Sequence, residues 1–246
     1  MTLALEVKNL QKSFGGIKVT QNVSLQVHPG ERRLIIGPNG AGKTTLFAQI
    51  TGDLIPDSGS VSIFGEEVIQ KPVHARAHMG MSRTYQIITL FKKDTLAHNV
   101  VLSLMGIHQR KKNIFSPLTD QDVFYDQAID FLDSVGLKDQ AFRMVSEISY
   151  GEQRRVEIAL ALAQKPKLLL LDEPLAGLSQ DERVMVSGLI NSISREVAIV
   201  MIEHDMEMAL AFAEKIMVLQ YGNVIVDDDR DAVVNDPKTQ EVYLGH

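Results

Sequence analysis

The chain contains no cysteine. That one absence excludes disulfides, thiolate metal sites and cysteine nucleophiles together, and it fits a reducing compartment. There is no excess of basic residues either: 25 Lys and Arg stand against 31 Asp and Glu, a formal net charge of −6, with a pI near 5.6. Nucleic-acid-binding domains carry a basic stripe, so no nucleic-acid partner is expected. The opening residues Met1-Thr2-Leu3-Ala4-Leu5-Glu6 lack a basic region followed by an apolar core, and no signal peptide is expected. No apolar run approaches the length of a membrane span. The chain is therefore expected not to cross a membrane, which leaves docking on a membrane protein open. There is no internal repeat and no low-complexity linker. What is present is 45% hydrophobic and 23% charged over 246 residues, enough for one large core or two smaller ones.

Residues 3–7 and 22–28 alternate apolar and polar, which predicts strands of an antiparallel sheet with one solvated side. Between them Phe14-Gly15-Gly16 predicts a turn that exposes an aromatic; read locally, Phe14 packs at the loop edge on its own sheet. Pro56-Asp57-Ser58-Gly59 predicts a turn before a strand at Ser60–Phe64. A helix is expected over 73–79; its His74 and His78 are spaced i, i+4 but have no third ligand, so they read as surface side chains. Met81–Tyr85 is extended and leads to Gln86.

From about 95 to 164 the pattern is helical, with one stripe at Leu96, Val100, Val101 and Leu104. A second runs through Phe124, Ala128, Phe131, Leu132 and Val135 and stops at Gly136. Between them, residues 106–121 with Arg110-Lys111-Lys112 read as a surface loop. Leu168–Leu171, Ala198–Ile202 and Ile216–Leu219 are short continuous apolar runs, typical of strands buried on both faces. Helical patterns at 180–195 and about 206–213 separate them. Such alternation predicts a parallel α/β sheet. The acidic tail Asp227-Asp228-Asp229 and Asp231 has the spacing of a calcium loop, but Ala232 and Lys238 stand where that loop needs Gly and Glu.

The most informative stretch follows the apolar run Leu34-Ile35-Ile36: Gly37-Pro38-Asn39-Gly40-Ala41-Gly42-Lys43-Thr44, then Thr45 and a helix-compatible segment to Ile50. Strand, glycine-rich turn and helix is the context in which G-x-x-x-x-G-K-[ST] cradles a polyphosphate. Glycines let the backbone curl round the anion, loop N–H groups point inward, and the helix N-terminus adds partial positive charge. Lys43 would reach the β- and γ-phosphates, and the Thr44 hydroxyl would hold Mg²⁺.

Leu168–Leu171 ends in Asp172-Glu173-Pro174, at the carboxyl end of a strand where ligands of open α/β sheets sit. Asp172 is placed to bind Mg²⁺ through water, and Glu173 to polarise an attacking water. Three further elements lie along the chain. They are Gln86 after Ser82-Arg83-Thr84-Tyr85, the stretch Ser149-Tyr150-Gly151-Glu152-Gln153 opening a helical run, and His204 in Ile202-Glu203-His204-Asp205. Singly these read as a surface Gln, a Ser cap and a loop His; their joint order is what carries information.

With these motifs in this order the chain resembles, over essentially its whole length, the nucleotide-binding subunit of an ATP-binding cassette (ABC) transporter. The resemblance implies an α/β fold: a P-loop NTPase core of ABC ATPase type with an N-terminal antiparallel β subdomain and an inserted α-helical subdomain. It implies one domain over 1–246, with about 1–86 and 165–246 as core and about 87–164 as the helical part. Phe14 would then stack on adenine, against its local reading. Gln86 would contact Mg²⁺ and the γ-phosphate and link them to the membrane subunit. Ser149, Gly151 and Gln153 would form the signature that binds the γ-phosphate of ATP held by the opposite subunit, and His204 would contact the γ-phosphate and orient the catalytic water. Two features depart from the family pattern. Tyr150 replaces a glycine, and Ala176-Gly177-Leu178-Ser179 ends in Ser rather than Asp, so a carboxylate contact across the dimer is missing or replaced.

Within that family, Ser-Arg-Thr-Tyr-Gln, Ser-Tyr-Gly-Glu-Gln-Arg-Arg, Pro-Leu-Ala-Gly-Leu, Ile-Glu-His-Asp-Met and the terminal Tyr243-Leu244-Gly245 look like an ATPase of branched-chain amino-acid importers. That resemblance implies ATP and Mg²⁺ as cofactors. It also implies two integral membrane permease subunits, a second ATPase in a homo- or heterodimer, and a periplasmic solute-binding protein acting through the permeases. The expected place is peripheral, on the cytoplasmic face of the inner membrane, with Ile87–Val101 as the permease contact. A lipopolysaccharide-export ATPase and a soluble cassette of iron–sulfur assembly are the alternatives.

Overall fold

The computed structural model describes residues 2–86, 88–107, 123–204 and 210–244. The expected loop at 106–121 falls almost wholly outside these residues, and so do Ile87, half of the expected helix at 206–213 (residues 206–209), Asp205 and Gly245.

An antiparallel hairpin leads the chain: β1 (Leu5–Phe14) and β2 (Ile17–Val27) joined by Gly15-Gly16. Both strands are longer than their alternation suggests. Asn9 and Asn22 sit at φ 48° and 54°, and register shifts follow Val7 and Leu10. Such bulges break the period-2 pattern and re-aim the side chains beyond them. With β4 (Ser58–Ile63) and β5 (Glu66–Glu67) the hairpin forms a four-stranded sheet in the order β2-β1-β4-β5.

The central sheet has six strands. β3 (Arg32–Ile36), β6 (Met81–Arg83), β7 (Leu168–Asp172), β8 (Ala198–Ile202) and β9 (Lys215–Gln220) run parallel, and β10 (Asn223–Asp229) returns antiparallel on β9. The order is β10-β9-β3-β8-β7-β6. The sheet is therefore mixed, not wholly parallel as the alternation predicts. β10 escapes sequence reading because its second half is Asp227-Asp228-Asp229, exposed on the edge strand and reading as a polar tail.

Burial explains the apolar runs. In β7, Leu168 and Leu170 point into a core shared with the antiparallel sheet and the helix α1 (Lys43–Thr51), through Phe47, Ile50, Val61 and Ile63. Leu169 and Leu171 point into the opposite core, against Val186 and Ile190 of α6 (Gln180–Ser192) and Ile158 of α5 (Tyr150–Ala163). Each such leucine contributes about 1.5–3 kcal/mol by leaving water, and none can alternate with a polar residue because both faces are covered. A third core packs α3 (Leu96–Ile107), α4 (Val123–Ser134) and α5, using both expected stripes. A short α2 (Val73–His78) precedes β6, and helices at Arg230–Asn235 and Pro237–Leu244 follow β10. All five parallel strands end at one edge, and there the glycine-rich turn after β3 opens.

Candidate functional site

The glycine-rich turn joins β3 to α1, and its glycines serve different needs. Gly40 has φ 78° and open space where a Cβ would be. Gly42 has φ 102°, and a Cβ there would lie 2.3 Å from the Val19 carbonyl oxygen of β2. At Gly37 the clash would be with Leu219 O of β9, at 2.1 Å. So two of the three glycines are demanded by strands that buttress the loop, and the third borders the space it encloses. Lys43 is 5% exposed. Its Nζ donates back to Gly37 O at 2.7 Å and Pro38 O at 3.1 Å. Burial lowers its pKa, while the nearby Glu173 and Asp172 carboxylates pull it up.

The loop opens on a cavity of about 230 Å³ lined by Asn39, Gly40, Ala41, Gly42, Lys43, Thr44 and Thr45, with Val19 at one side. Gln86, Glu173 and His204 close it, delivered from beyond the ends of β6, β7 and β8. Residues from four distant parts of the chain thus converge where sheet topology predicts a ligand.

Glu173 is the centre of this group. Its φ is 50°, a left-handed conformation costly for a residue with a Cβ, and such strain concentrates at functional sites. Its N–H is tied to Ile202 O at 3.0 Å. Gln86 Nε2 donates to Oε2 at 2.8 Å, and His204 Nε2 lies 2.7 Å from Oε1. Both carboxylate oxygens are therefore held towards the cavity. Glu203, 3% exposed, fixes the other side by accepting the Leu175 and His204 N–H groups at 2.8 and 3.1 Å.

Asp172 is fully buried. Its Oδ2 accepts Arg83 Nη2 at 2.7 Å, while Oδ1 has no hydrogen-bond partner among the described residues. Burial pushes its pKa up, and Arg83 holds it down. Arg83 also reaches Thr51, the last residue of α1, and Asp53 just beyond it, and stacks over the Tyr85 ring at 4.7 Å. An unpartnered buried carboxylate oxygen is costly unless something polar completes it. A water held by Mg²⁺ would do so; Asp172 itself does not line the phosphate cavity, whose wall carries its neighbour Glu173 and the exposed Thr44.

A second group lies apart from the phosphate loop. Ser149 caps α5, with its Oγ accepting the Glu152 N–H at 3.2 Å. Ser149 and Gly151 border a cavity of about 370 Å³ with Glu152, Arg155, Glu182, Met185 and Val186. Gln153 is not among these residues; its amide turns back to Ile148 O at 3.2 Å. Tyr150 folds onto its own chain. Its hydroxyl accepts Arg154 Nη2 at 3.1 Å, and a Cβ on Gly177 would meet its ring at 3.3 Å. The replacement of glycine by Tyr150 therefore leaves the Ser149 hydroxyl and Gly151 N–H uncovered by that ring.

Arg154 links the two groups. It is 2% exposed and donates to the carbonyls of Tyr85 at 2.9 Å and Gln86 at 2.7 Å, and to Glu157 at 2.9 Å. Arg83, Arg154, Glu157 and Glu203 carry no local sequence signal as site residues; only an arginine three residues before Gln86 and a charged helix start mark them. Phe14 stands 48% exposed at the end of β1, outside the phosphate cavity, with Lys12 Nζ 5.7 Å from its ring centre. In the expected permease contact, Leu90 is buried and Phe91 is 61% exposed.

Comparison with known proteins gives a consistent picture. A family model described as "ABC transporter" matches residues 20–176. The high-affinity branched-chain amino acid transport ATP-binding protein LivG of Escherichia coli K12 is 35% identical over 98% of this chain and 97% of its own. The lipopolysaccharide export system ATP-binding protein LptB of Acidithiobacillus ferridurans is 33% identical over 100% of this chain and 98% of its own. Among solved structures, the ADP conformation of MJ1267, an ATP-binding cassette of an ABC transporter, superposes with a TM-score of 0.88 at 28% identity over the full length of both chains. A dimeric post-hydrolysis state of the cassette MJ0796 bound to ADP and Pi gives 0.79 at 25% identity, covering 92% of this chain and 98% of that one.

Proposed function

The chain belongs to the ABC transporter family as an ATP-hydrolysing cassette, and from that premise we propose that it powers import of branched-chain amino acids or a similar small polar solute. The observation that carries the hydrolytic part is the Glu173 carboxylate, strained and held by Gln86 and His204 beside the phosphate loop. Glu173 accepts a hydrogen bond from the attacking water, His204 keeps that carboxylate oriented, and Lys43 neutralises charge on the β- and γ-phosphates. Asn39 to Thr45 cradle the phosphates, with Gly37 and Pro38 shaping the turn, and Phe14 stacks on the adenine.

Thr44, Gln86 and Asp172 are the residues that would hold Mg²⁺, which when bound would neutralise part of the phosphate charge. Magnesium needs only one or two carboxylates when substrate phosphates complete its shell. That agrees with the absence, among the described residues, of any cluster of three His, Asp or Glu able to hold a metal alone.

Ser149, Gly151 and Gln153 form the signature, given to the ATP of a second cassette. Their separation from the phosphate loop of the same chain supports a site completed in trans. The Gln86 region, with the exposed Phe91, docks on a permease at the cytoplasmic face of the membrane, and a solute-binding protein feeds that permease. Residues 87–164 work as the helical arm that carries the signature.

Import of branched-chain amino acids is supported by full-length likeness to LivG. The likeness to LptB supports a second reading, lipopolysaccharide export. Deleting the gene and measuring uptake of labelled leucine, isoleucine and valine separates them. Loss of energised uptake supports import; unchanged uptake with lipopolysaccharide retained at the inner membrane supports export instead.

A further inference from the structure

Two carboxylates flank the signature, and the fold uses them differently. Glu152 closes the capping box of α5, accepting the Ser149 N–H at 2.7 Å. Glu182 closes that of α6: its Oε2 accepts the Ser179 N–H at 3.0 Å and hydroxyl at 2.9 Å. The other oxygen of Glu182 has no duty in α6. It crosses to α5, where Oε1 lies 3.5 Å from Ser149 Oγ and the carboxylate lies against Gly151. The approach is so close that a Cβ on Gly151 would stand 2.3 Å from Oε1. Arg155, the cation in the same cavity, spends its Nη1 on the carbonyls of Val135 and Gly136.

An anion therefore already sits at the N-terminus of α5, beside the hydroxyl and N–H that the trans reading gives to a phosphate. A helix N-terminus favours an anion through its free N–H groups and partial positive charge. Carboxylate and phosphate compete for the same donors. We propose that Glu182 is an internal competitor at the signature: an anion that occupies the approach to Ser149 and Gly151 and is displaced by the ATP of the facing cassette. The proposal rests on the reading of Ser149 and Gly151 as donors in trans. Its consequence is that the Glu182 charge favours the separated chains, because closure must bring a more highly charged anion to donors that already face a carboxylate and must turn that carboxylate away.

The experiment compares Glu173→Gln with Glu173→Gln/Glu182→Gln, both slow to hydrolyse, by measuring dimer mass in solution over a range of ATP concentrations. Glutamine keeps the capping box of α6 and removes the charge. Half-maximal dimerisation is expected at roughly two- to fivefold less ATP in the double variant, the range of a single carboxylate at a helix terminus. Glu182→Asp in the same background, too short to span both helices, is expected to shift the same way and decides the matter if the glutamine variant does not fold. An equal or higher ATP requirement overturns the role of Glu182. Failure of the Glu173→Gln parent to dimerise at saturating ATP overturns the trans site itself, and with it this inference.

Discussion

Arg154 is the cation on which the arrangement around Gln86 most depends, and the effect of losing it can be worked out. Its guanidinium and the Glu157 carboxylate are 2% and 7% exposed, 2.9 Å apart, and Arg154 also holds the Tyr85 and Gln86 carbonyls. Arg154→Met leaves a buried carboxylate without its cation and two carbonyls without donors. Breaking a buried pair from one side costs about 3–5 kcal/mol, a large share of the roughly 5–15 kcal/mol that holds a domain together. For a chain of this size the melting temperature should fall by roughly 6–20 °C. The double variant Arg154→Met/Glu157→Leu removes the stranded charge as well, and should recover about 2 kcal/mol of the loss.

The pH dependence has a definite sign. Burial raises the pKa of Glu157 above its ordinary 4.5, and Arg154 opposes that rise. A carboxyl whose folded pKa exceeds its unfolded value binds more protons when folded, so stability falls as pH rises through that interval. Without Arg154 the folded pKa climbs further. The gap between wild type and Arg154→Met should therefore be small in acid, where Glu157 is protonated in both, and widen towards neutral pH. Urea unfolding followed at several pH values measures it. A gap below about 1 kcal/mol at neutral pH, or one that does not change with pH, would show that the pair does not hold this region.

Other substitutions have equally specific outcomes. Gly42→Ala places a methyl 2.3 Å from Val19 O at φ 102°, so it should distort the loop and weaken ATP binding; unchanged binding of a fluorescent ATP analogue would refute the fit. Phe14→Ala should weaken ATP binding by about 1 kcal/mol or more if the ring stacks on adenine, and equal affinity by calorimetry would count against it. Arg83→Met should raise the Mg²⁺ concentration needed for tight ATP binding, since it frees Asp172 Oδ2 from its 2.7 Å bond; an unaltered Mg²⁺ titration would separate Arg83 from the metal site.

The parts legible in the sequence are those with a local cause. Gly37, Gly40, Gly42, Lys43 and Thr44 are spaced by the turn they build, and Leu168–Leu171 is continuous because both faces of β7 are covered. Asp172, Glu173 and His204 follow directly on such strands. The parts that were not legible arise between distant residues. Arg83 meets Asp172 across 89 positions, Arg154 meets Gln86 across 68, and Glu182 meets Ser149 across 33. An arginine or glutamate on a helix gives no local sign that its head group is buried, because its stem suits a surface equally well. The bulges at Asn9 and Asn22 hid half of each hairpin strand, and the acidic edge of β10 hid a strand outright.

The central claim is that Glu173, held by Gln86 and His204, is the group that activates water on a bound nucleotide. Steady-state ATP hydrolysis of Glu173→Gln, measured beside its ATP affinity, tests it most directly. Binding retained with turnover reduced to background is the predicted result; hydrolysis at the wild-type rate would contradict it.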